Sequence, residues 1–292
     1  MRYREINLNL KGFSLLELML ALALSVIVLT LIIQFYLTMQ NLTHGANTIA
    51  RQQEDMRVLA YILNDSIGDA GYAGCLRLKN LQLSNHTNFN FSEPNAIHGF
   101  DSHNLPEYLR GKVKVNTEVI VVQHAGTDAT ILLAPVKQGA SDILVKDNPV
   151  TRDNKFLLIS DCINGDLFMA QNDIGKHIFM AEGKLAHDYV AQALITEISR
   201  FTELAYFVGL NNYGGSSLYV LLNQGKERQE LITDITSFKV LYGIDENNKG
   251  TISAYYAAAQ MRASQWEQVK AVKITLKYLN REQEIYIKLR NR

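Results

Sequence analysis

The carboxylate of Glu17 lies in the most apolar part of the sequence. It falls within the run FSLLELMLALALSVIVLTLII at residues 13–33, and no Asp, Glu, Lys or Arg occurs from Leu18 to Ala50. An ionised carboxylate in the hydrocarbon of a membrane costs about 2.5 to 3.5 kcal/mol or more. Glu17 therefore either extends to the membrane–water interface or lies near a positive group that neutralises its charge.

A cut between Gly12 and Phe13 would create such a positive group. The new α-amino group of Phe13 would have a pKa near about 8 and would be charged at neutral pH. Glu17 would then be the fifth residue of the shortened chain. Pairing of this amine with Glu17 of a neighbouring copy would fix the axial position of one helix against the next.

The apolar run is long enough to cross a membrane. As a helix, its 21 residues would extend about 31 Å, close to the roughly 30 Å of bilayer hydrocarbon. Arg2, Arg4 and Lys11 precede the run against Glu5 alone. The positive-inside rule then places the leader in the cytoplasm and the remainder outside. A cleaved secretory signal is the alternative, but its apolar region is typically only about 7 to 15 residues long.

A long helix followed by strands is the expected architecture. No proline occurs before Pro94, so the helix is predicted to continue over residues 13–67. Apolar residues recur at helical spacing over residues 49–67, which predicts one face docked on a globular head. The glycine-rich segment 68–74 is expected to end the helix.

Beyond the helix, short runs with β-branched or alternating apolar residues predict strands. The candidate strands are Val113 to Gln123, Asp142 to Val145, Phe156 to Ser160, His177 to Ala181, Leu204 to Val208 and Leu218 to Leu222. The clearest pair is an antiparallel hairpin of residues 272–278 and 285–289, turning across Asn280 to Glu282. The predicted fold class is α+β, a long N-terminal helix packed on a mainly antiparallel sheet.

Four segments are predicted along the chain. They are a leader at 1–12, a membrane-spanning helix at 13–33, an amphipathic continuation at 34–74 and a periplasmic head at 75–292.

The 29 basic and 29 acidic residues give no net charge, which argues against a charge-driven nucleic-acid binder. The sequence has no P-loop, GxSxG or Rossmann glycine pattern, so we expect neither an enzyme nor a cofactor.

Cysteines and histidines offer little chemistry. Cys75 and Cys162 are expected to form a disulfide in an oxidising compartment, and two separate buried thiols are the alternative. The seven histidines show no metal-binding spacing, so no metal site is predicted, and His98 and His103 are assigned to a loop. Residues 245–250 (DENNKG) resemble a calcium loop but lack the following acidic ligand, which favours a polar turn.

The segment KGFSLLELM, from Lys11 to Met19, resembles the class III signal of type IV prepilins. The resemblance implies that a prepilin peptidase cuts between Gly12 and Phe13 and N-methylates Phe13. Removal of the first 12 of 292 residues would leave 280. The resemblance further implies that Glu17 acts in filament assembly.

The head resembles the PilW type of minor pilin in three segments. They are Ala70 to Cys75 (AGYAGC), Phe156 to Cys162 (FLLISDC) and Trp266 to Val272 (WEQVKAV). The resemblance implies a non-enzymatic minor pilin, first single-pass in the inner membrane with a periplasmic head and later in the extracellular pilus. There it would join a tip or priming complex that supports adhesion, twitching motility or DNA uptake.

The implied partners are other minor pilins, the major pilin, a pilus-tip adhesin, the prepilin peptidase, the inner-membrane assembly platform and, before assembly, membrane lipid. Direct contact with nucleic acid is not expected. Basic residues between Lys270 and Arg292 are assigned to the solvent face of the last hairpin, the alternative being a strip that contacts DNA, an acidic surface or a neighbouring pilin. Two other functions stay open, a J-like pseudopilin of type II secretion and a membrane-tethered periplasmic enzyme.

Overall fold

The computed structural model of the chain describes residues 15–87, 96–172, 174–247, 249–279 and 281–290. The chain divides into two compact units, one up to Arg57 and one from Val58 onward. The first contains most of a long helix. The second contains the last turns of that helix and the head.

Helix α1 spans Leu15–Gly68 and has 54 residues. The prediction of one uninterrupted helix ending near residue 67 is confirmed over the described residues. The segment predicted as helical up to residue 74 is helical only to Gly68, and Tyr72 and Ala73 already form a strand. Gly71 adopts φ 83°, in the left-handed region that suits glycine and is incompatible with continued right-handed helix.

The described residues form sixteen strands. Their bounds are β1 Tyr72–Ala73, β2 Leu76–Arg77, β3 Gln82–Asn85, β4 Ile97–Asp101, β5 Glu118–Ala125, β6 Asp142–Leu144, β7 Phe156–Ser160, β8 Asn164–Met169, β9 His177–Phe179, β10 Glu197–Leu210, β11 Ser216–Leu222, β12 Arg228–Ile232, β13 Ile235–Ile244, β14 Ala254–Ala257, β15 Val269–Tyr278 and β16 Arg281–Lys288. Short 3₁₀ helices span Leu78–Asn80, Glu107–Leu109, Ala258–Gln260 and Ala263–Gln268.

Two larger sheets form most of the head. The eight-stranded sheet has the order β12-β11-β10-β7-β8-β3, with β5 also paired to β10 and β4 paired to β5. The four-stranded sheet has the order β14-β13-β15-β16. The β3–β8 pair is parallel, whereas the other pairs between named strands are antiparallel. The predicted α+β class is therefore confirmed.

The predicted closing hairpin is confirmed as β15 and β16. Val272 pairs with Ile287, and Ile274 pairs with Ile285. These apolar residues alternate with solvent-facing polar ones, which is the pattern of a sheet buried on one face. The strands extend further toward the turn than predicted, because Arg281 already pairs with Tyr278. Asn280, assigned to the turn, lies outside the described residues.

Strand boundaries elsewhere differ from the predictions in identifiable ways. The strand expected at residues 113–123 begins only at Glu118, because Asn116 adopts φ 63°, which an extended strand does not allow. Strand β10 has 14 residues rather than the five of the predicted run at 204–208. It is long because its first part pairs with β7 and its second part with β5 and β11.

A buried carboxylate, that of Asp166 on β8, joins three parts of the head. Its Oδ1 lies 2.5 Å from His86 Nε2 and accepts the backbone N–H of Ala186 at 3.0 Å. Its Oδ2 accepts the Tyr189 hydroxyl at 2.8 Å and lies 3.0 Å from His187 Nδ1. Burial acts to raise the pKa of Asp166, but these hydrogen bonds together lower it. The two histidines, isolated in the sequence, thus meet at one carboxylate.

Candidate assembly helix and its anchorage

The first part of α1 exposes apolar side chains around its whole circumference. Over residues 15–42 the large apolar side chains are 48% to 78% exposed. Such a surface is unfavourable in water and needs lipid or other protein to cover it. By length and composition, α1 is able to cross a membrane.

The hydroxyl groups in this part of α1 are hydrogen-bonded within the helix. Ser25, Thr30, Thr38 and Thr43 each donate to a backbone carbonyl three or four residues earlier, at 2.8 Å. A hydroxyl that donates to its own helix loses little when water is removed. These side chains are therefore compatible with an apolar environment around the helix.

Glu17 lies in the first turn of α1. The helix dipole favours a negative charge at this end. Gly12 and Phe13, the residues of the predicted cleavage, lie outside the described residues. Cleavage and methylation at these positions therefore stay predictions.

The last turns of α1, within the second unit, present one apolar face to the head. Leu59, Leu63 and Ile67 recur every four residues and are at most 2% exposed. This spacing places them on the same side of the helix. The apolar stripe was predicted over residues 49–67. Its carboxyl end is buried, whereas Ile49 at its start is 43% exposed.

Polar contacts supplement this apolar face. Ser66 Oγ and the Tyr206 hydroxyl lie 2.8 Å apart. Burial raises the pKa of Tyr206 to about 12, so its hydroxyl stays protonated at neutral pH and able to donate. The hydroxyl pair therefore ties the end of the helix to β10.

Arg290, at the other end of the chain, binds the carboxyl end of α1. Its backbone N–H donates to the Gly68 carbonyl at 2.7 Å. Its guanidinium lies 3.0 Å from an Asp69 carboxylate oxygen and 3.5 Å from one of Asp65. The last turn of α1 contains no basic residue of its own. Arg290 therefore supplies the positive charge that a helix carboxyl end favours.

Arg290→Gln is expected to lower the free energy of unfolding of the head by about 1 kcal/mol, because the contacts are half-exposed and partly screened. Thermal unfolding of the full chain in detergent, followed by circular dichroism, should show a midpoint about 2 to 4 °C lower. The matched control is Lys288→Gln, an exposed lysine close by. Equal midpoints for the two variants would show that Arg290 does not stabilise the helix end.

A disulfide connects two distant segments of the head. Cys75 lies in the two-residue turn between β1 and β2, and Cys162 follows β7. The sequence left open a disulfide or two thiols, and the structure has the disulfide, with the Cα atoms 5.4 Å apart. It joins the chain just after the helix to the β7–β8 turn.

Gly74, beside this disulfide, is required by close packing and by its backbone conformation. It adopts φ 85°, and a Cβ built on it would lie 3.0 Å from a Glu197 carboxylate oxygen. The neighbouring Ala73 carbonyl accepts a hydrogen bond from the Ser160 hydroxyl at 3.0 Å. The AGYAGC segment therefore lies directly against β7 and β10.

A polar cavity of about 430 Å³ lies near the end of α1 within the head unit. Its lining includes Asp65, Asp69, Asp128, Asp153 and Arg200. Asp65 and Asp69 contact Arg290, and Asp128 forms an ion pair with Arg200. Three of its four carboxylates are therefore tied to arginines instead of being directed at a substrate.

One segment of the head is similar to a known family. Residues 205–286 match the family of PilW, Type IV Pilus-assembly protein W. The predicted resemblance to PilW is confirmed over this segment, which runs from β10 into β16. PilW is a pilus-assembly family and not a known enzyme family. No curated protein and no solved structure matches the chain.

Within the PilW segment, Trp266 organises the packing of the WEQVKAV stretch. It is 4% exposed and contacts Tyr242 and His98, with ring centroids 4.8 and 4.4 Å away. The assignment of His98 to a loop is wrong, because it lies in β4. Burial lowers the pKa of His98, as expected for an imidazole held among aromatic rings. Its role is therefore packing.

Two lysines of the last hairpin lie close to acidic residues of the neighbouring strand. Lys273 Nζ lies 2.7 Å from a Glu284 carboxylate oxygen. Lys277 stands opposite Glu282 in the strand register. Opposite charges directly across a strand pair attract and partly cancel. This arrangement favours the solvent-face interpretation over a nucleic-acid strip.

The DENNKG sequence forms a turn after β13. Asp245 is buried, and its carboxylate accepts the backbone N–H groups of Lys249 and Gly250 at 3.0 and 2.7 Å. The predicted polar turn is thus present, although Asn248 lies outside the described residues. Across the described parts of the chain, no group of three or more His, Cys, Asp or Glu residues is placed to hold a metal ion.

Proposed function

We propose that this protein is a minor pilin of the PilW type that helps initiate type IV pilus assembly and enters the pilus. The match of residues 205–286 to a pilus-assembly family carries the proposal. The prepilin-like signal at Lys11 to Met19 and the long apolar helix support it independently. The same match favours a pilus over type II secretion.

Before assembly, the protein spans the inner membrane once, with its head in the periplasm. The basic leader supports this orientation, and the exposed apolar part of α1 supports lipid contact. On assembly, neighbouring helices replace lipid around the same surface. The partners are then other minor pilins, the major pilin and a tip adhesin, brought together by the inner-membrane assembly platform.

Processing by a prepilin peptidase is the step that releases α1 for assembly. The peptidase cuts after Gly12 and methylates the amino group of Phe13, which keeps its positive charge. The protein thereby presents a cation four residues before Glu17. The filament then supports adhesion, twitching motility or DNA uptake, whereas the chain itself carries no catalytic role.

Mass spectrometry of the protein extracted from membranes tests this processing. In cells with active prepilin peptidase, the amino terminus is expected to be N-methyl-Phe13. A Gly12→Val variant is the matched control and should keep its leader, because the bulky side chain would not fit a peptidase site that accepts glycine. Detection of the intact leader in the unaltered protein, in cells that process other prepilins, would contradict the proposal.

A further inference from the structure

A second cavity, of about 330 Å³, lies at the Leu210 end of β10. The residues that precede β5 and the first residue of β12 border it. It is lined by Gly111, Lys112, Val113, Lys114, Val115, Leu210 and Arg228. We call it the basic pocket. Its size is at the lower end of the range for ligand sites, and it would hold one or two side chains.

The two lysines of the basic pocket are held by uncharged acceptors. Lys112 Nζ donates to the Gly225 carbonyl at 3.2 Å. Lys114 Nζ donates to the Ser216 hydroxyl at 3.1 Å and to the Thr236 carbonyl at 3.4 Å. These bonds fix the positions of the ammonium groups and leave N–H donors on each for a ligand.

Arg228 is fixed in the same way. Its guanidinium donates to the carbonyls of Lys112 and Leu210, at 3.2 and 2.6 Å, and lies 4.1 Å from the centroid of the Tyr219 ring. Gly209 makes room for it, because a Cβ there would lie 2.6 Å from a guanidinium nitrogen. The arginine is therefore pre-positioned, with remaining N–H donors available.

Positive charge in the basic pocket is not balanced locally. Within the part of the chain that the structure describes, the pocket lining contains no carboxylate. Among the described residues, the ion pairs include none with Lys112, Lys114 or Arg228. Burial, and then the charge of Arg228, lowers the pKa of Lys112. An anion in the pocket would relieve this repulsion and make charge-assisted hydrogen bonds.

The surroundings of the basic pocket suit a peptide. Val115 and Leu210 are 65% and 61% exposed and line it beside the cations. Strand β12, which begins at Arg228, is the last strand in its sheet order and pairs there with β11. An end strand offers backbone N–H and C=O groups to an added extended chain. Nucleic acid would instead place charged phosphates against the apolar side chains.

We propose that the basic pocket binds an acidic side chain of an extended peptide segment from another protein, which adds to the sheet along β12. One carboxylate contacts Lys112 and Arg228, and Lys114 contributes further positive charge to the pocket lining. Neighbouring apolar side chains of the peptide contact Val115 and Leu210. The proposal follows from the head alone and does not depend on the assembly function.

Fluorescence anisotropy of the full chain in detergent micelles tests this site. The probe is a fluorescein-labelled peptide of alternating valine and glutamate, and its control has glutamine in place of glutamate. The glutamate peptide is expected to bind at least about tenfold more tightly than the control. Lys112→Gln with Lys114→Gln should weaken binding at least about tenfold. Lys226→Gln, a nearby lysine that does not line the pocket, should leave it unchanged.

Leu210→Asp guards against loss of binding through misfolding. Leu210 is exposed, so this variant should fold, and the new carboxylate should occupy the pocket and prevent peptide binding. The proposal would be overturned if the protein bound the two peptides with equal affinity, or if it bound neither up to about 1 mM. It would also be overturned if the lysine double variant bound the glutamate peptide as tightly as the unaltered protein does. Tighter binding of a labelled oligothymidine, lost in the double variant, would assign the pocket to nucleic acid and would also overturn it.

Discussion

Glu17→Ala is expected to leave the protein in the membrane at its normal level and to reduce surface pili at least about tenfold. In the proposed assembly, the carboxylate of Glu17 neutralises the Phe13 amine of an adjoining subunit within an apolar bundle of helices. Loss of the carboxylate leaves that amine as an uncompensated charge, which costs several kcal/mol in such surroundings. The measurements are an immunoblot of membranes and a count of pili by electron microscopy.

Two further variants separate charge from packing at this position. Glu17→Gln keeps the size of the side chain, so it should reduce pili as strongly as alanine if charge is the cause. Glu54→Ala removes an exposed carboxylate further along the same helix and should leave pili unchanged. Normal pilus numbers in either Glu17 variant would remove its role in assembly.

Cys75→Ala combined with Cys162→Ala is expected to lower the free energy of unfolding of the head by about 2 to 5 kcal/mol. The disulfide closes a loop with a sequence separation of 87 residues. Without it, the unfolded chain gains conformational freedom that the folded chain does not have. Denaturant titration of the oxidised protein and the double variant measures the difference.

Reduction supplies the matched control for the disulfide. A thiol reductant should lower the stability of the unaltered protein toward that of the double variant and should not affect the variant itself. Peptide mapping without reduction should recover the fragments containing Cys75 and Cys162 as one linked species. Free thiols at both positions in protein isolated from cells without reductant would contradict the bridge.

Local sequence patterns predicted α1 and the closing hairpin because their determinants are close together in the chain. Over residues 15–68, the continuous apolar run, the helical spacing of apolar residues at 49–67 and the absence of proline suffice for a helix. In β15 and β16, apolar and polar residues alternate on both strands, and a short connection makes the pair antiparallel. Tertiary packing did not have to be known in either case.

Strand β13 shows where local patterns fail. Residues 235–244 form an inner strand of the four-stranded sheet, although they were not among the candidate strands indicated by local patterns. Phe238, Val240 and Tyr242 are fully buried on it, but polar residues and a glycine interrupt the run. Its pairing with β15 supplies the stabilisation, and that pairing depends on a register between segments separated in sequence.

Patterns among neighbouring residues account for the long apolar helix, the position of Glu17 within it, the α+β class and the closing hairpin. Folding is needed to bring His86 and His187 to Asp166 and Arg290 to the end of α1. It is also needed to form the basic pocket from Lys112, Lys114 and Arg228. These groups come from distant parts of the chain. Pairing of strands and burial of the core bring them together, and no local spacing records that proximity.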